Sequence, residues 1–499
     1  MTCQLIADCL DEILEYLEED WLTLHSCLLV NRLWCELTVK ILWRNIWNFK
    51  NFKNQITQLR AASSILSTLI SCFPNESKEL LYKNNILISP PTSKPPLFNY
   101  AAYCRVLSTY GIDKIVNNVL DNKSLLNHKR DLVANEIFKL FASQISSLKK
   151  LIYHHNDYYY IDFSFNYFPG AKDLSELCCV SSLPSNFFYQ LSQVCNNLQS
   201  ISINIINGNI SNELKELISL QNNLKNITLI AFHGNWSEII PVLMKHSNTL
   251  IKLCLYSDDD NLPLLFISLF PNLQEILLSF PNIFHIFENF KEFEASTREF
   301  KDFKKLQYVN FPKLQTLKIP FHCPKTEYII NFLENNGKTL KKLYISRSDK
   351  VISLSVANFC PNIKSLYIIF KNDELDILKT IFISCQCLES IKITCGIRHL
   401  NKKKVLETVT NYSPKNFHEL KIYSSSYSDI SSEDLESFFI SWKNRIPKKL
   451  LTLIMIKGDF FTSLDMKIIK KYENFGIIKF KIKRWDDEEE EEEFFKGLY

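Results

Sequence analysis

The sequence predicts an α/β solenoid, a chain of stacked strand-plus-helix units, and three observations carry that prediction. One spacing recurs thirteen times from residue 146 onward: an apolar residue, two variable ones, an apolar residue, one variable, an apolar residue. Most successive copies start 23 to 29 residues apart, a period that holds one supersecondary unit. Stretches with helical spacing of apolar residues lie between many of the copies. A unit of one strand and one helix cannot bury its apolar face alone. Stacking gives it a continuous core, with a concave parallel sheet on one side and outer helices on the other. At 499 residues and 46% apolar content the chain has ample material for such a core. Its net charge of +4 is small for this length, so no nucleic-acid partner is expected.

Residues 1–47 read as three short helices. Leu10, Ile13, Leu14 and Leu17 recur at helical spacing and give the first helix one apolar stripe. Helices this short cannot bury Leu28, Val30, Trp34, Trp43 and Trp47 among themselves, and the surplus predicts a docking face. The order Leu5-Ile6, Leu28-Leu29-Val30-Asn31-Arg32-x-Trp34 and Leu42-Trp43 resembles the F-box. In that family the helices bind a Skp-family adaptor and, through it, a cullin of a cullin–RING (SCF-type) ubiquitin ligase. The resemblance implies an adaptor-binding face at Leu5, Ile6, Leu10, Ile13, Leu17, Leu28, Val30, Trp34 and Trp43. It departs from the family at one point, because Ile6 stands where a proline is usual. Proline would pre-set the backbone there, so a somewhat weaker grip is expected.

Residues 48–145 read as a helical bridge, with helices over 56–69 and 132–145 and a break at Pro90, Pro91, Pro95 and Pro96. The stretches Ser71–Lys78 and Lys94–Tyr100 resemble segments shared by an expanded set of fungal F-box proteins.

The repeats fill 146–485. They run from Leu148-x-x-Leu151 through Leu198-x-x-Ile201-x-Ile203 to Ile477-x-x-Phe480-x-Ile482. Several carry a cysteine just ahead of the leading position, as in Cys195-Asn-Asn-Leu198, Cys360-Pro-Asn-Ile363 and Cys385-Gln-Cys-Leu388. These units resemble the cysteine-bearing leucine-rich repeat common in F-box receptors, which implies a right-handed horseshoe. The cysteines themselves read as small apolar residues packed inside the turns. An insertion at 281–305, rich in phenylalanine, interrupts the period and suits an extra amphipathic helix, with Leu306-x-x-Val309 opening a degenerate unit. The polar segment 424–432 accounts for the long step from Phe417 to Leu450.

In this repeat class the variable residues around the second apolar position project from the concave sheet. From Leu198 onward they include Lys252, Lys318, Lys342, Lys392, Lys421, Lys479, Lys481 and Lys483, against only Glu275 and Glu419. Tyr256, Tyr344, Tyr367 and Tyr423 share that face. The wall suits a protein substrate that is acidic or phosphorylated, although arginine, the better bidentate phosphate holder, is missing from it. Residues 486–499 form an acidic tail beginning Asp486-Asp487 and Glu488–Glu493. Such blocks are usually solvated; directly after a basic strand, this one suits an internal ligand for the lysine wall.

The same residues argue against other classes. No catalytic residues, cofactor or metal are expected: only nine glycines are present, without a phosphate loop, and no His or Cys cluster has metal-ligand spacing. No leader is read at the start, and fifteen unpatterned cysteines suit a reducing cytoplasmic or nuclear compartment. No apolar run approaches the ~20 residues needed to span a bilayer. The reading that emerges is a substrate receptor of a ubiquitin ligase. The alternative is a repeat scaffold or sensor whose first helices merely cap the solenoid.

Overall fold

The computed structural model describes residues 6–18, 20–47, 55–88, 95–120, 127–153, 168–206, 208, 210–232, 234–281, 300–424, 430–456 and 463–483. The chain divides into two compact units, Met1–Asn204 with Asn209–Leu224 and Ile205–Gly208 with Lys225–Leu498.

The first unit opens with helices α1 (Ala7–Glu15), α2 (Trp21–Cys27) and α3 (Arg32–Leu42). Then come α4 (Gln55–Ser71), α5 (Asn75–Lys83), β1 (Val106–Ser108), α6 (Thr109–Leu120) and α7 (Asn127–Gln144). It continues with β2 (Lys150–Tyr153), β3 (Glu176–Val180), α8 (Ser185–Val194), β4 (Ser200–Asn204) and α9 (Asn212–Ser219). Its four strands pair parallel in chain order.

The second unit holds β5 (Asn226–Ala231), α10 (Ile240–Leu243), β6 (Lys252–Ser257), β7 (Glu275–Ser279), α11 (Phe303–Leu306) and β8 (Thr316–Ile319). It then alternates α12 (Thr326–Asn336), β9 (Lys342–Ser348), α13 (Lys350–Phe359), β10 (Ser365–Ile369), α14 (Leu375–Ser384) and β11 (Ser390–Cys395). The last members are α15 (Lys402–Tyr412), β12 (Glu419–Ser424), α16 (Ser432–Lys443), β13 (Leu451–Ile456), α17 (Ser463–Asn474) and β14 (Ile478–Lys483). All ten strands are parallel and again follow chain order.

Each of the thirteen spaced copies lies on one of β2–β14, and their second apolar residues align across the ladder: Ile227, Leu253, Ile276, Leu317 and Leu343 stand side by side. Those side chains are buried because they face the helices. A parallel pair needs a crossover connection, and the segment between successive strands supplies one in every unit. Consecutive N–H groups share one carbonyl of the strand before, as Lys341 and Lys342 do with Gln315 (2.7 and 2.9 Å).

Two expectations need correcting. The bridge over 48–145 is not purely helical: β1 lies inside it and pairs with β2, Leu107 beside Leu151. Cys104, fully buried, fills the leading position where the other copies carry Leu, Ile or Phe, so the unit escaped the spacing. Leu306-x-x-Val309 is no strand, because Leu306 ends α11 and β7 pairs directly with β8. Asp302 accepts from the N–H groups of Leu264 and Leu265 (2.9 and 3.1 Å), closing the insertion onto the preceding turn. The rest of the insertion, the loop at 425–429 and the acidic tail lie outside the described residues.

The repeat cysteines pack as expected. Cys195 donates its thiol to the Leu174 carbonyl (3.5 Å) and Cys385 to that of Cys360 (3.5 Å), each one repeat back. Burial pushes the Cys195 thiol up to about 11 and Cys385 up to about 12, so neither forms thiolate near neutral pH. Among the described cysteines, Cys9 and Cys387 are the exposed ones. Of the described cysteines in native protein treated with a thiol-specific reagent at pH 8, these two are expected to label first, with Cys195, Cys360 and Cys385 reacting only on denaturation. Prompt labelling of Cys385, mapped by mass spectrometry, would contradict the packing.

Candidate functional site

Two surfaces carry the candidate residues, one in each unit. In the first, Asp20 caps α2 by accepting from the Thr23 N–H (3.1 Å), and Asn31 caps α3 by accepting from the Trp34 N–H (3.0 Å). The Asn-Arg-x-Trp run is thus a helix start, and the asparagine is there for its side-chain acceptor. Leu10, Leu14, Leu24, Cys27, Leu37, Ile41 and Leu42 form the core of the three helices. The Arg44 guanidinium grips both carboxylate oxygens of Glu15, tying α1 to the end of α3 and holding the Glu15 carboxyl below its usual range.

The predicted face divides along that core. Ile6, Ile13 and Val30 are exposed, at 71%, 45% and 56%. Leu17, Leu28, Trp34 and Trp43 are half-buried and pack against the core. Leu10 is interior, 1% exposed, and offers nothing to an outside partner, because it lies on the side of the stripe that meets the other helices. Leu5 lies outside the described residues. Three exposed apolar residues were not foreseen: Tyr16, Leu22 and Leu29. A signal existed for Tyr16, which follows Ile13 by three residues.

The end of this module joins the ladder. The Arg44 carbonyl accepts from the N–H groups of Arg105 and Val106 (2.9 and 3.1 Å), the position that a preceding strand would take for β1. Trp47 donates its indole N–H to the Val106 carbonyl and sets its ring against Phe141. A Cβ on Gly111 would stand 2.6 Å from that indole, so the residue there must be glycine for the ring to lie flat. Trp43 packs on Tyr100, ring centroids 4.6 Å apart.

In the second unit the register sorts the concave side chains into columns. One runs Cys254, Leu277, Lys318, Tyr344, Tyr367, Lys392, Lys421, Ile454, Lys481. Tyr344 and Tyr367 pack with their rings tilted and their centroids 4.2 Å apart, and the Lys392 ammonium lies over both rings at 5.5 and 4.9 Å. Glu275 sits between Lys252 and Lys318 (3.4 and 3.5 Å), and Glu419 lies 3.7 Å from Lys421. Lys342, Lys479 and Lys481 are exposed.

The wall is less open and less uniformly basic than its sequence suggested. Tyr256, Tyr344, Tyr367, Lys392 and Tyr423 are all buried. Apolar groups gather around them: Ile230, Cys254, Tyr256 and Leu277; then Tyr344, Tyr367 and Ile369; then Tyr423, Ile454 and Ile456. The sequence signal was continuous apolar runs such as Leu253–Tyr256 and Leu453–Ile456, which mark strands covered on both faces. β14, by contrast, alternates strictly: Ile478-Lys479-Phe480-Lys481-Ile482-Lys483. Among the described residues, no group of three His, Cys, Asp or Glu side chains is placed to hold a metal ion, and no helix is long and apolar enough to cross a membrane.

No family model and no curated protein matches this chain in sequence. Among solved structures it is similar to the leucine-rich repeat-containing protein LegL7 from Legionella pneumophila, at 14% identity and a TM-score of 0.33, over 60% of this chain and 91% of that one. The leucine-rich-repeat architecture rests on the strand registers themselves.

Proposed function

We propose that the chain is the substrate-recognition subunit of an SCF-type ubiquitin ligase. Its first helices would bind a Skp-family adaptor, and its repeats a protein substrate. One observation carries this reading: a module with a complete core of its own still leaves Ile6, Ile13, Tyr16, Leu22, Leu29 and Val30 in water. Apolar surface in excess of what the core needs is what a docking face consists of. An adaptor interface of ordinary size buries about 1,200–2,000 Å². The receptor does no bond chemistry; it brings a substrate to the transferase. Lysines and aromatic rings on the concave face favour an acidic or phosphorylated substrate.

Ile13→Asp with Val30→Asp is expected to weaken co-purification with a Skp-family adaptor at least ~100-fold, since buried apolar anchors are worth about 2 kcal/mol or more each. Both positions are exposed, so the circular dichroism spectrum should not change. A folded double variant that still binds fully would defeat the proposal. A second reading is a scaffold whose helices only cap the sheet, and the Arg44 and Trp47 bonds to Val106 favour it. An unaltered chain with no adaptor affinity would decide for the cap.

A further inference from the structure

We propose that the packing of α6 against α7 is a proton-sensitive latch: Asp113, buried and facing the charge of Asp131, holds it shut when protonated and loosens it when ionised, and with it the seat of Trp47. This stands apart from the adaptor reading and would hold for a scaffold equally.

Three observations carry it. The first is a carboxyl group in apolar surroundings. Asp113 lies on α6 at 9% exposure, beside Ile112 and followed by Ile115 and Val116, all buried. Burying a carboxylate is costly unless donors replace its water, and among the described residues no donor holds this one. The second is the lack of donors nearby. The buried Oδ1 atoms of Asn117, one turn further along α6, and of Asp131 on α7 have no hydrogen-bond partner either. The third is position. A Cβ on Gly111 of α6 would stand 2.6 Å from the Trp47 ring, and Phe141 of α7 meets that ring at 5.5 Å. Trp47 in turn bonds the Val106 carbonyl of β1, so α6 and α7 together hold the joint between the first helices and the ladder.

Among the described residues, no cation offsets the charge. Of the elements packed against α6, α4 carries only Arg60 and β1 carries no charge, while Lys150 on β2 is paired with Glu176 (2.9 Å). On α7, Glu136 is bound by Ser77 and Lys139 (2.5 and 2.7 Å), and His128 acts on Asp131. Neither Lys129 and Arg130 on α7 nor Tyr110 and Lys114 on α6 itself act on Asp113; Asp131, a like charge, does. Burial, and then the Asp131 charge, pushes the Asp113 carboxyl up to about 7 from an ordinary 3.8. A value raised by folding makes the latch firmest below about pH 4. It loses strength as the pH climbs, until above about pH 7 Asp113 is ionised in the folded chain too.

Hydrogen exchange of the full chain, corrected for intrinsic rates, tests this. Between about pH 5 and about pH 8 the protection of α6 and α7 is expected to fall roughly 30- to 100-fold, while α13 and α14 of the second unit keep theirs. Asp113→Asn keeps the shape and removes the charge, so its protection should vary less than about threefold over that range. Asp131→Asn leaves Asp113 buried without its like neighbour, and half of the loss should then come at a lower pH. The Arg105 and Val106 amides, which donate to the Arg44 carbonyl, should follow the course of α6. No pH dependence in the unaltered chain, or the same dependence in Asp113→Asn, overturns the proposal. So does a loosened α6 beside unchanged Arg105 and Val106 amides, which would separate the latch from the joint. An unmoved midpoint in Asp131→Asn, a test that stands even if Asp113→Asn does not fold, overturns it as well.

Discussion

Leu10→Ala is expected to unfold the N-terminal helices, while Ile13→Asp, three residues on, leaves them folded. Both residues belong to one apolar stripe on α1, but only Leu10 is enclosed, by Leu14, Leu24, Leu37 and Ile41. Emptying such a site costs about 3–5 kcal/mol, the sum of lost transfer energy and the cavity left behind. Three helices of about forty residues hold little reserve against that loss. Amide hydrogens of α1–α3 should therefore exchange roughly 100- to 1,000-fold faster in Leu10→Ala, while those of β5–β14 keep their rates. Ile13→Asp puts a carboxylate where the side chain already meets water, so exchange should stay near its original rate. Unchanged exchange of α1–α3 in Leu10→Ala would mean that the core is drawn wrongly. The pair also shows why adaptor binding must be probed at Ile13 and Val30: loss of binding in Leu10→Ala would report only a melted module.

That distinction marks the limit of what spacing can reveal. A helical stripe says which residues lie together, not which side of it a neighbouring helix covers; α3 decides that, and α3 is distant in sequence. Strand positions were readable because every copy must bury two or three aliphatic residues toward its helix. An obligation repeated thirteen times is visible without any structure. β1 was hidden because three residues and a cysteine meet the same need. The concave face was half readable. Period-two alternation puts Tyr344, Tyr367 and Lys392 in one column, and the strand registers place them side by side. It does not say whether they end in water or against one another, since a lysine over two tyrosine rings and a lysine in solvent are spelled alike. α6, packed between α4 and α7, also lacked a signal strong enough to separate it from the loop before it, although Ile112, Ile115 and Val116 are all buried.

Asn336→Leu is expected to be the most damaging single change in the second unit that leaves shape nearly intact. Asn336 is buried at the end of α12 and reaches back across one repeat. Its Oδ1 accepts from the Phe311 N–H (2.7 Å), and its amide group donates to the carbonyls of Val309 (2.9 Å) and Phe332 (3.1 Å). Gln221 does the same work in the first unit, accepting from the Leu198 N–H (2.9 Å) and donating to the carbonyls of Cys195 (3.1 Å) and Leu217 (2.7 Å). Both amides thus close the turn that leads into a strand. Leucine fills much the same volume but leaves the Phe311 N–H and the Val309 carbonyl dry and unpaired, at about 1–3 kcal/mol each. In a stacked array each repeat leans mainly on its neighbours, so the loss should concentrate at β8, α12 and β9. Hydrogen exchange of those elements should quicken by roughly 30-fold or more, and the melting temperature should fall. Asn335→Leu supplies the control: Asn335 is exposed, water can replace its bonds to the Gln307 and Asn331 carbonyls, and replacement there should cost within about 0.5 kcal/mol. Equal effects of the two substitutions would show that the buried amide does not brace the repeat, and that the α12 contacts alone hold it.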